Sequence, residues 1–543
     1  MKVLRFLVCT IAMSAVTGIA AQEYNMPAEV EVTDDYTKGC EAYRSGDKVA
    51  AVEFWERAAK DGNANAQCNL GSCYAKGDGV EQDYKEALKW YKEAAEQGNN
   101  VAECNIGNFY FNGLGTEQDY DDAVKWYRRS AEKGNPNALL GLGVCYKNGA
   151  GIKQDYMRAF DCFYESANKG NAVAQNELGE CFFYGEGVEQ KFDDAVYWYS
   201  QSAVQGYDVA QYNYAGCYLY GDGVEIDSVA AFNWYTRAAM QGNANAEFAL
   251  AECYYLGIGT SSNKAEAMRW YKEAAEQGHV DAQYMLADCY YEGKDYKEAA
   301  SWYMAAAKQG DADAQCQIAS CYYFGKGVKT DYDKALSWYR KSAKQGNAEA
   351  IFSLAEEYFW GFTVTLDLEK AKAYYKASAD GGYVPAYNAL GHFYSSGILF
   401  DYDSEKAFGY YKAAAEKGDA EGQYNLGCCY SKGIGVEVDF TEAVLWYIRA
   451  ANQGFADAQY ALAICYDNGI GVPVNYPNAV KWYTDAALAG NSLAQYELGL
   501  CYYDGRGVMR DVEMATRWLE YAADQDNADA KAKLKQIEKE QKR

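Results

Sequence analysis

The chain is 543 residues long, half hydrophobic, with only five prolines and a net charge of −26. So strong an acidic balance disfavours nucleic acid and anionic membrane surfaces as partners. The apolar half is enough to bury a long core, and scarce proline leaves helices unbroken.

Lys2 and Arg5 precede an apolar run from Phe6 to about Ala21 that ends in Gly18-Ile19-Ala20-Ala21. This pattern predicts a secretory signal over 1–21, with cleavage near Ala20 or Ala21 and a short leader over 22–26. The alternative is an uncleaved anchor, but 16 residues are short for a span of ~20. Cys9 sits in Phe6-Leu7-Val8-Cys9, the wrong context for lipoprotein processing. Cleavage would take the charge to −28. No later stretch is apolar long enough to cross a bilayer, so no membrane insertion is expected after cleavage.

From there on, one punctuation mark recurs. A Gly closing an Ala-rich segment stands at Gly62, Gly98, Gly134, Gly170, Gly206, Gly242 and Gly278, then at Gly310, Gly346, Gly382, Gly418, Gly454 and Gly490. The spacing is 36 residues except for 32 between Gly278 and Gly310. A fixed period in this range marks stacked repeats, and overrides the several-domain prior for this length.

Residues 63–98 serve as the type unit. Ala66, Leu70, Cys73, Tyr74 and Gly77 fall on one stripe of a helix. Gly71 is small where a partner helix must come close. Gly77-Asp78-Gly79 ends that helix, and Val80 plugs the loop from beneath. Asp83 begins a second helix as N-cap, with Glu86 at capping-box spacing. Ala87, Trp90, Tyr91, Ala94 and Ala95 form its apolar face, with Trp90 as a core anchor. Numbering each unit from the residue after its closing Gly gives fourteen units over 27–526. The unit 279–310 lacks four loop residues, and the first has a similarly short loop at Ser45-Gly46-Asp47. Asp526 stands where Gly should, and 527–543 is expected to be a charged capping helix.

The recurring pattern Leu70-Gly71…Tyr74…Gly77-x-Gly79-Val80…Asp83-Tyr84…Ala87…Trp90-Tyr91…Ala94-Ala95…Gly98 resembles the Sel-1-like repeat, a relative of the tetratricopeptide repeat. The resemblance covers essentially the whole mature chain. It implies an all-α fold, a right-handed α-α superhelical solenoid, and an adaptor role in bacterial envelopes or eukaryotic secretory compartments. One secreted, cysteine-rich bacterial subgroup carries a disulfide in each unit and has penicillin binding. This chain lacks that subgroup's paired cysteines. Eleven of its seventeen cysteines occupy one slot, from Cys40 and Cys73 to Cys465 and Cys501. Equivalent positions on neighbouring helices are ~8–10 Å apart, too far for disulfides. They are read as small buried hydrophobes.

No catalytic constellation, cofactor motif or metal site is found. His279 and His392 have no ligand partners at metal spacing, and each reads as a surface or groove histidine. The Gly-x-Gly loops follow no strand and lack Gly-Lys-Ser/Thr, so they are helix terminators rather than phosphate cradles.

Positions 3, 6, 10 and 13 lie about half a turn from the core stripe of the first helix. In the tetratricopeptide relatives that face lines a groove for peptides. Position 6 holds Tyr212, Phe248, Tyr284 and Phe352, among others; position 13 holds Phe183, Tyr255, Tyr291, Tyr323 and Phe359; position 10 holds Glu180, Glu252, Asp288 and Glu356. Rings and carboxylates suit a ligand bearing Lys or Arg. Equally, the rings could pack against neighbouring helices. The expected function is therefore a non-enzymatic scaffold, exported to a bacterial periplasm or beyond, that grips a protein or extended peptide. The alternative is an enzyme of the cysteine-rich secreted type acting on β-lactam or cell-wall-like substrates. A eukaryotic secretory adaptor is a third reading, weakened by the missing Asn-x-Ser/Thr sequon and Lys-Asp-Glu-Leu-type ending.

Overall fold

The computed structural model describes residues 34–541. The expected signal segment, the leader and the start of the first unit lie outside the described residues. Among those described are twenty-nine α-helices and no strand. The chain divides into two compact halves, 1–286 and 287–543, with the division inside helix Val280–Glu292. Within each half, helices pack on their successors in chain order, most tightly within a repeat. Each half is thus an α-solenoid of stacked helix pairs.

In the type unit, helix A runs Ala64–Lys76 and helix B Tyr84–Glu96. Asn63 caps helix A by accepting from the Ala66 N–H at 2.9 Å. Gly77 ends it in the left-handed region at φ 75°. Asp83 caps helix B through the Lys85 and Glu86 N–H groups. The expected reciprocal half of the capping box does not form. The Asp83 N–H is already bonded to the Tyr74 carbonyl at 2.9 Å, so Glu86 turns to Lys89 instead.

Ala66, Leu70 and Cys73 are fully buried, as their stripe requires. The expected anchor on helix B is corrected. Tyr91 is the fully buried ring, while its neighbour Trp90 is only half-buried, with Lys89 over its face. Tyr91 lies against Gly71, where a Cβ would sit 2.8 Å from the ring. One residue separates the two, about 100° of helix, and only the partner helix decides which side is inside.

Neighbouring repeats lock through backbone. The second loop glycine carries a positive φ and meets the start of the preceding helix B: a Cβ on Gly115 would lie 2.5 Å from the Tyr84 carbonyl oxygen. Two consecutive repeats depart, with Thr363 and Leu399 at that position and φ not positive at either. A buried glutamine adds a polar tie. Gln67 donates to the Ala59 carbonyl of the preceding repeat at 3.1 Å and accepts from Gln97 at 2.7 Å. At the C-terminus, helix Ala528–Gln541 buries Ala530 and Ile537 against Leu519 and Ala522.

Both short loops form as the deletions require. In the first, Gly46 takes φ 90°; in the second, the equivalent residue is Lys294, at φ 65°. A side chain in the left-handed region costs ~1–2 kcal/mol, which glycine avoids. Lys294→Gly should therefore raise stability by about 0.5–1 kcal/mol, read as a higher midpoint in urea denaturation. No gain would show that this loop carries no strain.

Candidate partner-binding face

The ring columns of helix A lie against the buried tyrosine of helix B in their own repeat. Tyr212 meets Tyr235 at 5.6 Å between centroids, Phe248 meets Tyr271 at 5.9 Å, and Phe352 meets Tyr375 at 5.7 Å. From position 13, Phe183 approaches Tyr199 at 6.4 Å, Tyr255 approaches Tyr271 at 6.5 Å, Tyr291 approaches Tyr303 at 6.4 Å and Phe359 approaches Tyr375 at 6.2 Å. Tyr323 packs edge-on to Tyr332 at 5.3 Å. Phe248 is buried; Tyr284 and the other candidate rings are half-buried, so one side of each is packed and an edge is left over.

The position-10 carboxylates have a partner inside the repeat. The hydroxyls of Tyr271, Tyr303 and Tyr375 donate to Glu252, Asp288 and Glu356, and Glu356 also accepts from the Trp360 indole at 3.0 Å. Asn108 and Ser72 hold the same place for Tyr127 and Tyr91, at 2.8 and 3.1 Å. Where helix B offers Phe163 or Leu519, position 10 is Val144 or Leu500. Polarity at position 10 follows the need of a buried phenol in these repeats, whereas Ile464 leaves Tyr483 to Asp467 at position 13. Burial raises the Glu252 carboxyl above its usual range.

Glu180 belongs to a different arrangement. Lys147, at position 13 of its repeat, places its ammonium 3.1 Å from Glu177, 3.1 Å from Glu180 and 3.7 Å from Glu186. Burial alone would lower Lys147, but the three carboxylates around it raise it instead. Glu177, buried and beside Glu180, is pushed up to about 7. The contact from position 13 of one repeat to position 16 of the next recurs. Tyr43 donates to Asp78 at 2.9 Å, Lys326 reaches the Tyr291 hydroxyl at 2.5 Å, and Arg506 lies 3.2 Å from Asp467.

His279 is a helix N-cap rather than a loose groove residue. Its Nδ1 accepts from the Ala282 N–H at 3.2 Å, its ring stacks on Phe248 at 4.8 Å, and its buried Nε2 has no partner. Desolvation lowers its pKa to about 4.

Sequence reasoning missed one row altogether. The last residue of helix A, position 14, is an exposed apolar side chain in consecutive repeats: Tyr184, Tyr220 and Leu256 in the first half, Phe324 and Trp360 in the second. Phe362 and Ile398, in the two loops without the second glycine, are exposed as well. The signal was present, since the same position is polar at Lys76, Asn112 and Asn148.

The cysteine slot is buried from Cys73 to Cys465 and Cys501 except at the half-buried Cys289. Cys40 is buried too but falls one residue earlier, at position 10, and none of the described cysteines is in a disulfide. Burial pushes the Cys145 thiol up to about 12. Among the described residues no three His, Cys, Asp or Glu side chains are grouped to hold a metal ion. No described helix is long and apolar enough to cross a membrane.

Stacked helix pairs with an aromatic, acid-flecked face define a helical repeat scaffold. The Sel1 repeat model matches fourteen consecutive segments, from 42–63 and 64–99 through 492–527, and the chain belongs to the Sel1 repeat family. Sel1 repeats mediate protein–protein interaction. The chain is similar to c5321 of Escherichia coli, described as a protective antigen present in uropathogenic strains and displaying an SLR fold. Identity is 30% over 90% of this chain and 97% of that one, with a TM-score of 0.48. It is also similar to a Sel1 repeat protein from Oxalobacter formigenes, at 30% identity over 61% and 98% of the two chains and a TM-score of 0.43. The immunity protein Pa5087 of Pseudomonas aeruginosa matches at 23% identity over 39% and 81%, with a TM-score of 0.29. No curated protein sequence matches the chain.

Two outcomes are expected. Lys147→Met leaves the buried Glu177 and the half-buried Glu180 and Glu186 without their cation and should destabilise by about 3–5 kcal/mol; a loss under about 1 kcal/mol in urea denaturation would mean the cluster is effectively solvated. His279 is depressed from 6.5 to about 4 in the folded chain, so protonation favours unfolding. Its contribution should be complete above pH 6.5 and be lost as pH falls towards 4. His279→Asn, the cap used at Asn63 and Asn243, should flatten that part of the stability–pH curve. An unchanged curve would place the titration elsewhere.

Proposed function

We propose that the chain is an exported, non-enzymatic scaffold that holds a protein or an extended peptide against the helix A side of its repeats. The observation that carries this reading is the position-14 row. Five large apolar side chains stand exposed at equivalent helix ends, where water alone would select polar residues. The half-exposed edges of Phe183, Tyr212, Tyr255, Tyr323, Phe352 and Phe359 lie on the same helices, and those of Tyr284 and Tyr291 on helix Val280–Glu292. Rings with a rigid body and a polar tip are efficient anchors. Spread over many repeats, such anchors grip an extended ligand without any single deep pocket.

The charge of −26 favours a partner with basic residues and speeds its approach. Glu252, Asp288 and Glu356 are each occupied by a phenol, which supports a gripping surface over acid–base chemistry. Export rests on Lys2, Arg5 and the apolar run that follows, and places the scaffold in a periplasm or outside the cell. That a relative is a protective antigen is in keeping with this placement.

Leu256→Ser with Phe324→Ser tests the reading. Both side chains are more than half exposed, so each change should alter stability by no more than about 0.5 kcal/mol. Capture from a native envelope extract, followed by mass spectrometry, should lose a partner that the parent chain retains. Equal capture by both chains would remove the row from the binding surface.

A further inference from the structure

In repeat 207–242 neither position 10 nor position 13, which is Leu219, offers the helix B phenol a polar side chain. Position 10 is Gly216, and a Cβ there would meet only the Tyr235 hydroxyl, at 3.8 Å. Tyr235 is 2% exposed, and its hydroxyl has no hydrogen-bond partner. Elsewhere Asn108, Glu252 or Glu356 supplies one. The Tyr235 oxygen is not sealed from solvent, so it is open to a ligand that offers a donor.

The missing side chain opens a cleft of about 70 Å³ between this repeat and repeat 171–206. Its walls are the rings of Phe183, Tyr184, Tyr199, Tyr212, Tyr220 and Tyr235. Asp222 also lines it and pairs with no lysine or arginine among the described residues.

The chain itself shows what fits between position 13 of one repeat and position 16 of the next. Lys326 sits 4.8 Å from the Tyr291 ring and 5.4 Å from the Tyr296 ring, and bonds the Tyr291 hydroxyl. Lys147 sets its ammonium beside Glu186. At the cleft this pair of positions holds Phe183 and Asp222. The ring of the first arrangement and the carboxylate of the second are both there, and the ammonium is not.

We propose that this cleft binds a lysine side chain of a bound polypeptide. The methylene stem lies among the rings, the ammonium faces Asp222, and the Tyr235 oxygen accepts a hydrogen bond, as Tyr291 does from Lys326. An aromatic enclosure with one carboxylate holds a cation through its ring faces as well as its charge. The proposal rests on the scaffold reading and names the partner's anchoring side chain. Lysine is favoured over arginine because the cation that lies over position-13 and neighbouring rings in this arrangement is Lys326.

The test uses the full chain and two probes, N-acetyl-lysine methylamide and its norleucine counterpart, followed by saturation-transfer NMR. Lysine should bind at least about tenfold tighter, the ratio a partly desolvated cation–π contact provides. Gly216→Asn installs the side chain that Asn108 uses on Tyr127, and should abolish lysine binding without lowering the melting temperature. Asp222→Asn should weaken lysine binding and leave norleucine unaffected. Should the Gly216 variant unfold, Tyr220→Ala removes an exposed wall and should weaken lysine binding in a folded chain. Equal binding of the two probes, or full lysine binding by a folded Gly216 or Tyr220 variant, overturns the proposal. No partner is needed, so this failure is separable from that of the scaffold reading, which the capture experiment judges.

Discussion

A phenol hydroxyl carried into a protein interior must find a hydrogen-bond partner or forfeit one to three kilocalories per mole, roughly. Nearly every repeat here carries such a phenol on helix B, among them Tyr91, Tyr127, Tyr271 and Tyr375. The ring fits because position 9 of helix A is small, as at Gly71. The hydroxyl shapes position 10: serine, asparagine or a carboxylate meets it in several repeats, and valine or leucine stands there where phenylalanine or leucine replaces tyrosine. In repeat 455–490 position 10 is Ile464, and Asp467 at position 13 meets Tyr483 instead. The rings at positions 6 and 13 close over the same phenol from either side. One packing requirement thus sets most of the chemistry of the face that a partner would meet.

The same constraint explains the exceptions. Glu180 is drawn to Lys147, and position 13 of that lysine's repeat gives up its ring to supply the cation. Repeat 207–242 keeps its tyrosine but has no acceptor, and the space left over becomes a cleft. Carboxylates that look like ligand groups in the sequence are mostly structural, while the opening comes from a residue that is missing.

Between repeats the ties are of another kind. Backbone meets backbone at the second loop glycine, a buried glutamine bridges two helix B termini through Gln67, and side chains cross from position 13 to position 16. Each tie needs a residue from the neighbouring repeat, so no repeat is complete alone. Where Thr363 and Leu399 replace the loop glycine, apolar side chains surface instead, at Phe362 and Ile398.

The sequence by itself determined the period, both short loops, the helix caps at Asn63, Asp83 and Gly77, and the buried slot of Cys73. These depend on local chemistry: a cap bonds within three residues, and a left-handed turn selects glycine wherever it stands. Even there, the free half of the Asp83 capping box was decided elsewhere, by the Tyr74 carbonyl. The candidate rings were legible as a face of helix A, but not which of their sides was packed. That Tyr91 rather than Trp90 faces inward, that Glu252 and Glu356 serve phenols, and that Gly216 leaves a cleft were decided by the tertiary structure alone. In each case the deciding atom lies on a helix 15 to 20 residues away or in the next repeat, and a one-dimensional pattern carries spacing but not what stands opposite.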